Sequence, residues 1–120
     1  MTDWTELLRP ETRIQLLQNF KEQEPRKGSG REIDFRPAGK LFVPWGAATF
    51  LITECDGDGL AFGLSDLGFG SPELGYISLD ELAEIRGPGG LRVEEDIHFR
   101  PDKTLSEYAA DARVHSRIRA

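Results

Sequence analysis

Between Leu41 and Ile85 the chain has no lysine and no arginine, yet the same stretch holds eight acids: Glu54, Asp56, Asp58, Asp66, Glu73, Asp80, Glu81 and Glu84. The segments on either side carry nearly balanced charge, so the formal net charge of −6 resides in the central third. A region of that sign repels phosphate backbones and attracts basic partners. Cysteine is nearly missing as well. The single Cys55 excludes an internal disulfide, and no CxxC pair suggests a zinc site. Strand-like neighbours on both sides make Cys55 a small core residue rather than a reactive thiol. No run approaches the roughly 20 apolar residues of a membrane span. The first twenty residues include Asp3, Glu6, Arg9, Glu11 and Arg13, unlike a signal peptide. A cytoplasmic protein is the expectation. Catalytic signatures are also lacking. There is no GxSxG elbow, the glycine-rich tracts have no Lys and Ser/Thr of a phosphate loop, and the two histidines, His98 and His115, have no diagnostic nucleophile spacing. No cofactor is expected.

What is present fits one domain over residues 1–120, since a chain of this length with 38% hydrophobic residues can bury one modest core. Residues 11–22, after Pro10, place Ile14 and Leu17, and less regularly Leu16 and Phe20, near one stripe of an amphipathic helix. Residues 23–39, with Pro25, Gly28, Ser29 and Gly30 among charged side chains, read as a flexible loop. A meander follows. Lys40 to Val43 forms a short strand, and Ala47 to Cys55, apolar on both faces, forms a central one. The Asp56-Gly57-Asp58-Gly59 tetrad signals a hairpin into Leu60, Phe62 and Leu64, and Leu74 to Ile77 makes a fourth strand.

Ser78 and Glu81 stand at capping-box spacing and open a short middle helix, which Gly87 to Gly90 terminate. From Leu91 to Arg100, Leu91, Val93, Ile97 and Phe99 alternate with polar residues, predicting a strand with one wet face. Glu95 breaks the inner row, and a β-bulge or pairing with Arg86 or Arg92 would relieve its burial. Thr104 and Glu107 form a second capping box ahead of a C-terminal helix bearing Leu105, Tyr108, Ala109 and Ala112. The fold class is α+β: an antiparallel sheet of about five strands with an N-terminal, a short middle and a C-terminal helix, covering mainly one face.

Several of these segments carry a family resemblance. Lys40-Leu41-Phe42-x-Pro44, Ala48-Thr49-Phe50-Leu51-x-Thr53-Glu54-x-Asp56, Phe62-Gly63-Leu64, Glu73-Leu74-Gly75-Tyr76, Leu79-x-Glu81-Leu82 and Gly90-Leu91-x-Val93-Glu94-x-Asp96 resemble the bacterial domain-of-unknown-function family numbered 2958. The resemblance runs from Leu7-Leu8 to Thr104-Leu105-Ser106. It implies cargo of plasmids and integrative elements, hence an accessory or defence-countering factor of a mobile genetic element. It supplies no activity and no catalytic residues.

Three function classes follow from the residues. The favoured one is a non-enzymatic protein-interaction factor for a partner with a basic surface. Trp45 and Phe69, large aromatics in glycine-flanked turns, would anchor it, and Asp56, Asp58, Asp66 and Glu73 would form its acidic rim. The bland alternative folds both rings back over the sheet. The second class is a metal-dependent enzyme or metal-binding protein using Glu94, Asp96 and His98, whose i, i+2, i+4 spacing puts them on one face of an extended strand. Alternating polar residues on a solvated face explain the same pattern. The third, less favoured, is nucleic-acid binding through the basic loop (Arg26, Lys27, Arg31, Arg36) and the C-terminal helix (Arg113, His115, Arg117, Arg119), whose charges equally suit a helix dipole. The DxDG tetrad resembles the start of a calcium loop, but Ala61 and Leu67 occupy the positions where that loop needs Gly and Glu, so a plain turn is expected.

Overall fold

A computed structural model describes residues 3–120, and its core is a five-stranded antiparallel sheet. In chain order the strands are β1 (Gly39–Phe42), β2 (Thr49–Cys55), β3 (Leu60–Asp66), β4 (Glu73–Ser78) and β5 (Glu94–Glu95), arranged β4-β3-β2-β1-β5. Helix α1 spans Pro10–Gln23, α2 Leu79–Glu84 and α3 Leu105–His115, and a short 3₁₀ turn at Trp4–Leu7 precedes them. The α+β class, the meander and the three helices agree with the sequence reading. Both predicted N-caps form: Ser78 Oγ accepts the Glu81 N–H, and Thr104 with Glu107 makes a reciprocal capping box.

The helices do not share a face. Neighbouring residues of a strand point to opposite sides of a sheet, and β2 uses both. Ile52 joins Leu41, Phe50, Cys55, Ala61 and Ile77 on the side covered by the 3₁₀ turn, α1 and α2. Leu51 and Leu64 pack on the other side against Leu105, Tyr108, Ala109 and Ala112 of α3. Helix α3 covers only part of this second side. The rest, around Phe62 and Tyr76, is bordered only by the C-terminal end of α1 and the turn after it.

Two expectations are corrected. Residues 91–100 form no long strand, because β5 pairs only Glu94 and Glu95 with Phe42 and Leu41. The chain then turns: Asp96 Oδ1 accepts the His98 N–H at 2.9 Å and the Asp96 carbonyl accepts the Phe99 N–H at 3.2 Å. One further bond, from the Asp96 N–H to the Lys40 carbonyl at 2.9 Å, precedes that turn, which leads the chain away from Gly39 of β1. Helix α1 is also rotated from the predicted stripe. Ile14 is exposed, and the buried line is Thr12, Leu16, Asn19 and Gln23.

Each polar member of that line has a specific partner. Asn19 Nδ2 donates to the Thr53 carbonyl at 2.8 Å. Gln23 clasps the backbone of Ile33 through both amide atoms, so the irregular segment after α1 is fastened at its middle. Further along, Asp34 caps onto Ser106, and the Phe35 carbonyl accepts the Leu105 N–H at 2.8 Å. Thr12 reaches Glu95.

Glu95 does turn inward, toward Arg9 rather than Arg86 or Arg92. Its Oε1 accepts the Arg9 N–H at 2.8 Å, and Oε2 accepts Arg9 Nη2 at 3.1 Å and Thr12 Oγ1 at 2.7 Å. Arg9 is the N-cap residue of α1 and has no side-chain cap of its own. The carboxylate from β5 therefore caps this helix from across the fold, matching the partial positive charge at its N-terminus. Glu95→Ala is expected to lower unfolding free energy by about 2–3 kcal/mol through loss of these charge-assisted bonds. Thr12→Val should cost about 1 kcal/mol. Urea unfolding curves of the two variants check both values.

Candidate functional site

The eight central acids do not gather on one surface. Glu54 and Asp66 are buried. Asp66, expected on an exposed rim, is only 4% exposed, and its carboxylate accepts the Gly68 N–H and the Ile118 N–H. It ties the end of β3 to the C-terminal tail and is not available to a partner. Asp56 shapes the hairpin by accepting the N–H groups of Asp58 and Leu60. Asp58 is exposed in the same turn. Glu73 is exposed at the start of β4, and Phe69, 86% exposed, precedes it in the β3–β4 connection. The seven residues of β3 separate these two groups, a span of roughly 20 Å. One partner face therefore does not use Asp58 and Phe69 as neighbours.

Trp45 is half-buried, and the space beside Gly87 shows why. A Cβ on Gly87 would lie 2.3 Å from Trp45 Cδ2, so the indole rests directly on the glycine backbone. Trp45 thus packs on the backbone after α2 rather than over the sheet, while Phe69 is exposed.

The proposed metal triad loses its shared strand. Asp96 lies in the turn after β5, ion-paired to Lys40 at 3.6 Å, while Glu94 and His98 are exposed. Among the described residues no three His, Cys, Asp or Glu side chains come together as a metal would require. Cys55 is buried, and burial pushes its thiol up to about 12, so it stays protonated. Of the basic features, Lys27 pairs with Glu24 at 3.2 Å, and Arg119 makes two bonds to Asp111.

The site that sequence reasoning missed lies on the uncovered part of the second face. Two hollows of about 220 and 340 Å³ share Lys27, Glu54, Phe62 and Tyr76 as common lining. Phe20 and Glu24 border the first hollow, and Glu32 and Asp34 the second. Tyr76 is 66% exposed on β4 and stands edge-on to Phe62, with ring centroids 5.5 Å apart. At the bottom is Glu54, only 7% exposed.

Backbone irregularity aims Glu54 there. Ile52 pairs with Gly63 but Glu54 pairs with Phe62, leaving Thr53 as the extra residue of a β-bulge. Simple alternation would have sent Glu54 to the α1 side and Cys55 to the hollow. The bulge exchanges them. Gly63 permits the close approach, since a Cβ there would lie 1.9 Å from the Leu51 carbonyl oxygen. An isolated glycine inside a strand pattern was the available signal.

Among the described residues Glu54 accepts no hydrogen bond, and its Oε2 is buried without a partner. Burial raises its pKa, the nearby Glu24 adds to the rise, and Lys27 opposes it. Lys27 instead pairs with Glu24 and lies 5.4 Å from the Phe20 ring centroid. A half-open aromatic hollow thus ends in an unsatisfied carboxyl group, an arrangement suited to a cation.

The family model described as Protein of unknown function (DUF2958) covers residues 7–119. No curated protein and no solved structure matches. Among the described residues no helix is long and apolar enough to cross a membrane.

A carboxyl group with a raised folded pKa stays protonated in the fold after it has ionised in the unfolded chain. Folding stability therefore falls as pH climbs from the ordinary glutamate range through the raised value. Glu54→Gln removes that loss. Melting temperatures of wild type and Glu54→Gln should coincide at acidic pH, and the variant should become the more stable by a few degrees as pH rises. Thermal scans across pH check this difference.

Proposed function

Because the chain belongs to that family, whose description names no activity, we propose from the geometry that it is a non-enzymatic protein-interaction factor. It receives a basic segment of a partner along β4 and the hollow beside it. The observation that carries this reading is the state of the β4 edge. Among the described residues its outer side has no backbone hydrogen-bond partner, and it is the terminal strand of the sheet. Open edges are templates for strand addition, in which backbone bonds provide affinity and side-chain pockets provide selectivity.

The surroundings support a partner of positive charge. Leu74 and Tyr76 of β4 are exposed beside Phe62, and five acids line the two hollows against the single Lys27. Apolar anchors within a charged rim are the usual composition of a protein contact. The accessory or defence-countering role in a mobile genetic element, implied by the sequence resemblance, belongs to the same proposal. The metal-dependent reading draws no support from the scattered Glu94, Asp96 and His98.

Capture from a bacterial lysate on immobilised protein tests the reading. Wild type should retain a discrete set of proteins, salt-sensitive in binding, and Glu73→Lys/Leu74→Lys should lose them while keeping a wild-type circular dichroism spectrum. Identical captures by both would refute it.

A further inference from the structure

The hollow invites a question that the open edge alone leaves unanswered, namely which chemical group fills it. A buried carboxylate without a hydrogen bond is costly to a fold unless something pairs with it. Three features restrict what that something is. Glu54 calls for a positively charged donor at the floor. The walls are aromatic, with Phe20, Phe62 and Tyr76 presenting ring surface to whatever enters. The protein's own cation in the hollow, Lys27, is committed to Glu24 and sits over Phe20 without forming an ion pair to Glu54.

We propose that the hollow is a binding site for a guanidinium group, the side chain of an arginine carried by the partner segment, with Glu54 as its counter-ion and Tyr76 and Phe62 as its stacking wall. This inference rests on the reading of β4 as a docking edge and names the residue that the edge selects. Guanidinium fits better than ammonium for physical reasons. It is planar, stacks on aromatic rings, is weakly hydrated and loses less on entering a half-enclosed hollow, and it offers several N–H donors to one carboxylate. A primary ammonium already occupies the nearby Phe20 face and leaves Glu54 unpaired.

The β-bulge at Thr53 belongs to the same device. It turns a charged residue away from the α1 core, where Arg9 and Thr12 are already committed to Glu95, and into a space open to a ligand. Bulges that re-aim a single side chain recur beside binding sites.

Titration of isotope-labelled protein with N-acetyl-arginine amide, followed by NMR, tests the site without any partner. Saturable shifts should concentrate at Glu54, Phe62 and Tyr76. Glu54→Gln should weaken binding at least tenfold, Tyr76→Ala severalfold, and the uncharged analogue N-acetyl-citrulline amide should give no saturable shift. Absence of saturation with wild type, equal binding by Glu54→Gln, or equal binding of citrulline overturns the assignment. Because the probe is a single capped residue, such a failure leaves the lysate comparison on β4 unaffected. Saturable arginine binding combined with identical lysate captures would refute the docking edge and retain the pocket.

Discussion

Glu95 ties the N-terminus of α1 to the β1–β5 edge of the sheet. Its carboxylate lies on the shortest strand, at the sheet edge farthest from β4, yet it receives the N-terminal N–H of α1, the Arg9 guanidinium and the Thr12 hydroxyl. Through those bonds the position and rotation of α1 become functions of the strand register at β1–β5. Once α1 is fixed at Thr12, helical periodicity carries Leu16, Asn19 and Gln23 to the sheet side. Asn19 then meets the Thr53 carbonyl at the bulge, and Gln23 meets Ile33. The frame of the Glu54 hollow is thus assembled from a line of polar bonds that begins at a carboxylate on the opposite edge.

That line explains which parts of the fold could be read from the residues. The N-caps at Ser78 and Thr104, the Asp56–Gly59 hairpin and the alternating strands are local signals, and each forms where expected because its partners lie within a few positions. The rotation of α1 is not local. Hydrophobicity alone favours Ile14 and Leu17 over Thr12, Asn19 and Gln23, and only distant partners make the polar line the buried one. The strand predicted over 91–100 stops early because Asp96, after its N–H has met the Lys40 carbonyl, uses its side chain to form a turn.

The candidate site was least legible of all. In the sequence Glu54 is one of eight central acids, and nothing adjacent to it distinguishes it from Glu73 or Asp58. Its burial depends on the bulge, and the bulge depends on Gly63 in a different strand. The acidic block proves to be several unrelated things: a helix surface at Asp80, Glu81 and Glu84, turn-forming groups at Asp56 and Asp66, and one carboxyl group held without a bond. A net charge summed along a segment hides such differences, because the potential felt by a partner depends on exposure and on which charges are already matched.

Both tryptophans lie against glycines. Trp4 covers Gly59 at the β2–β3 hairpin, and Trp45 lies on Gly87 after α2. The indoles consequently sit at two different seams of the molecule, one where the N-terminal turn meets the hairpin and one where the β1–β2 connection meets the α2 exit. Their emission offers a natural optical gauge of each seam, and replacing either ring singly by phenylalanine would let loosening at one be followed separately from the other.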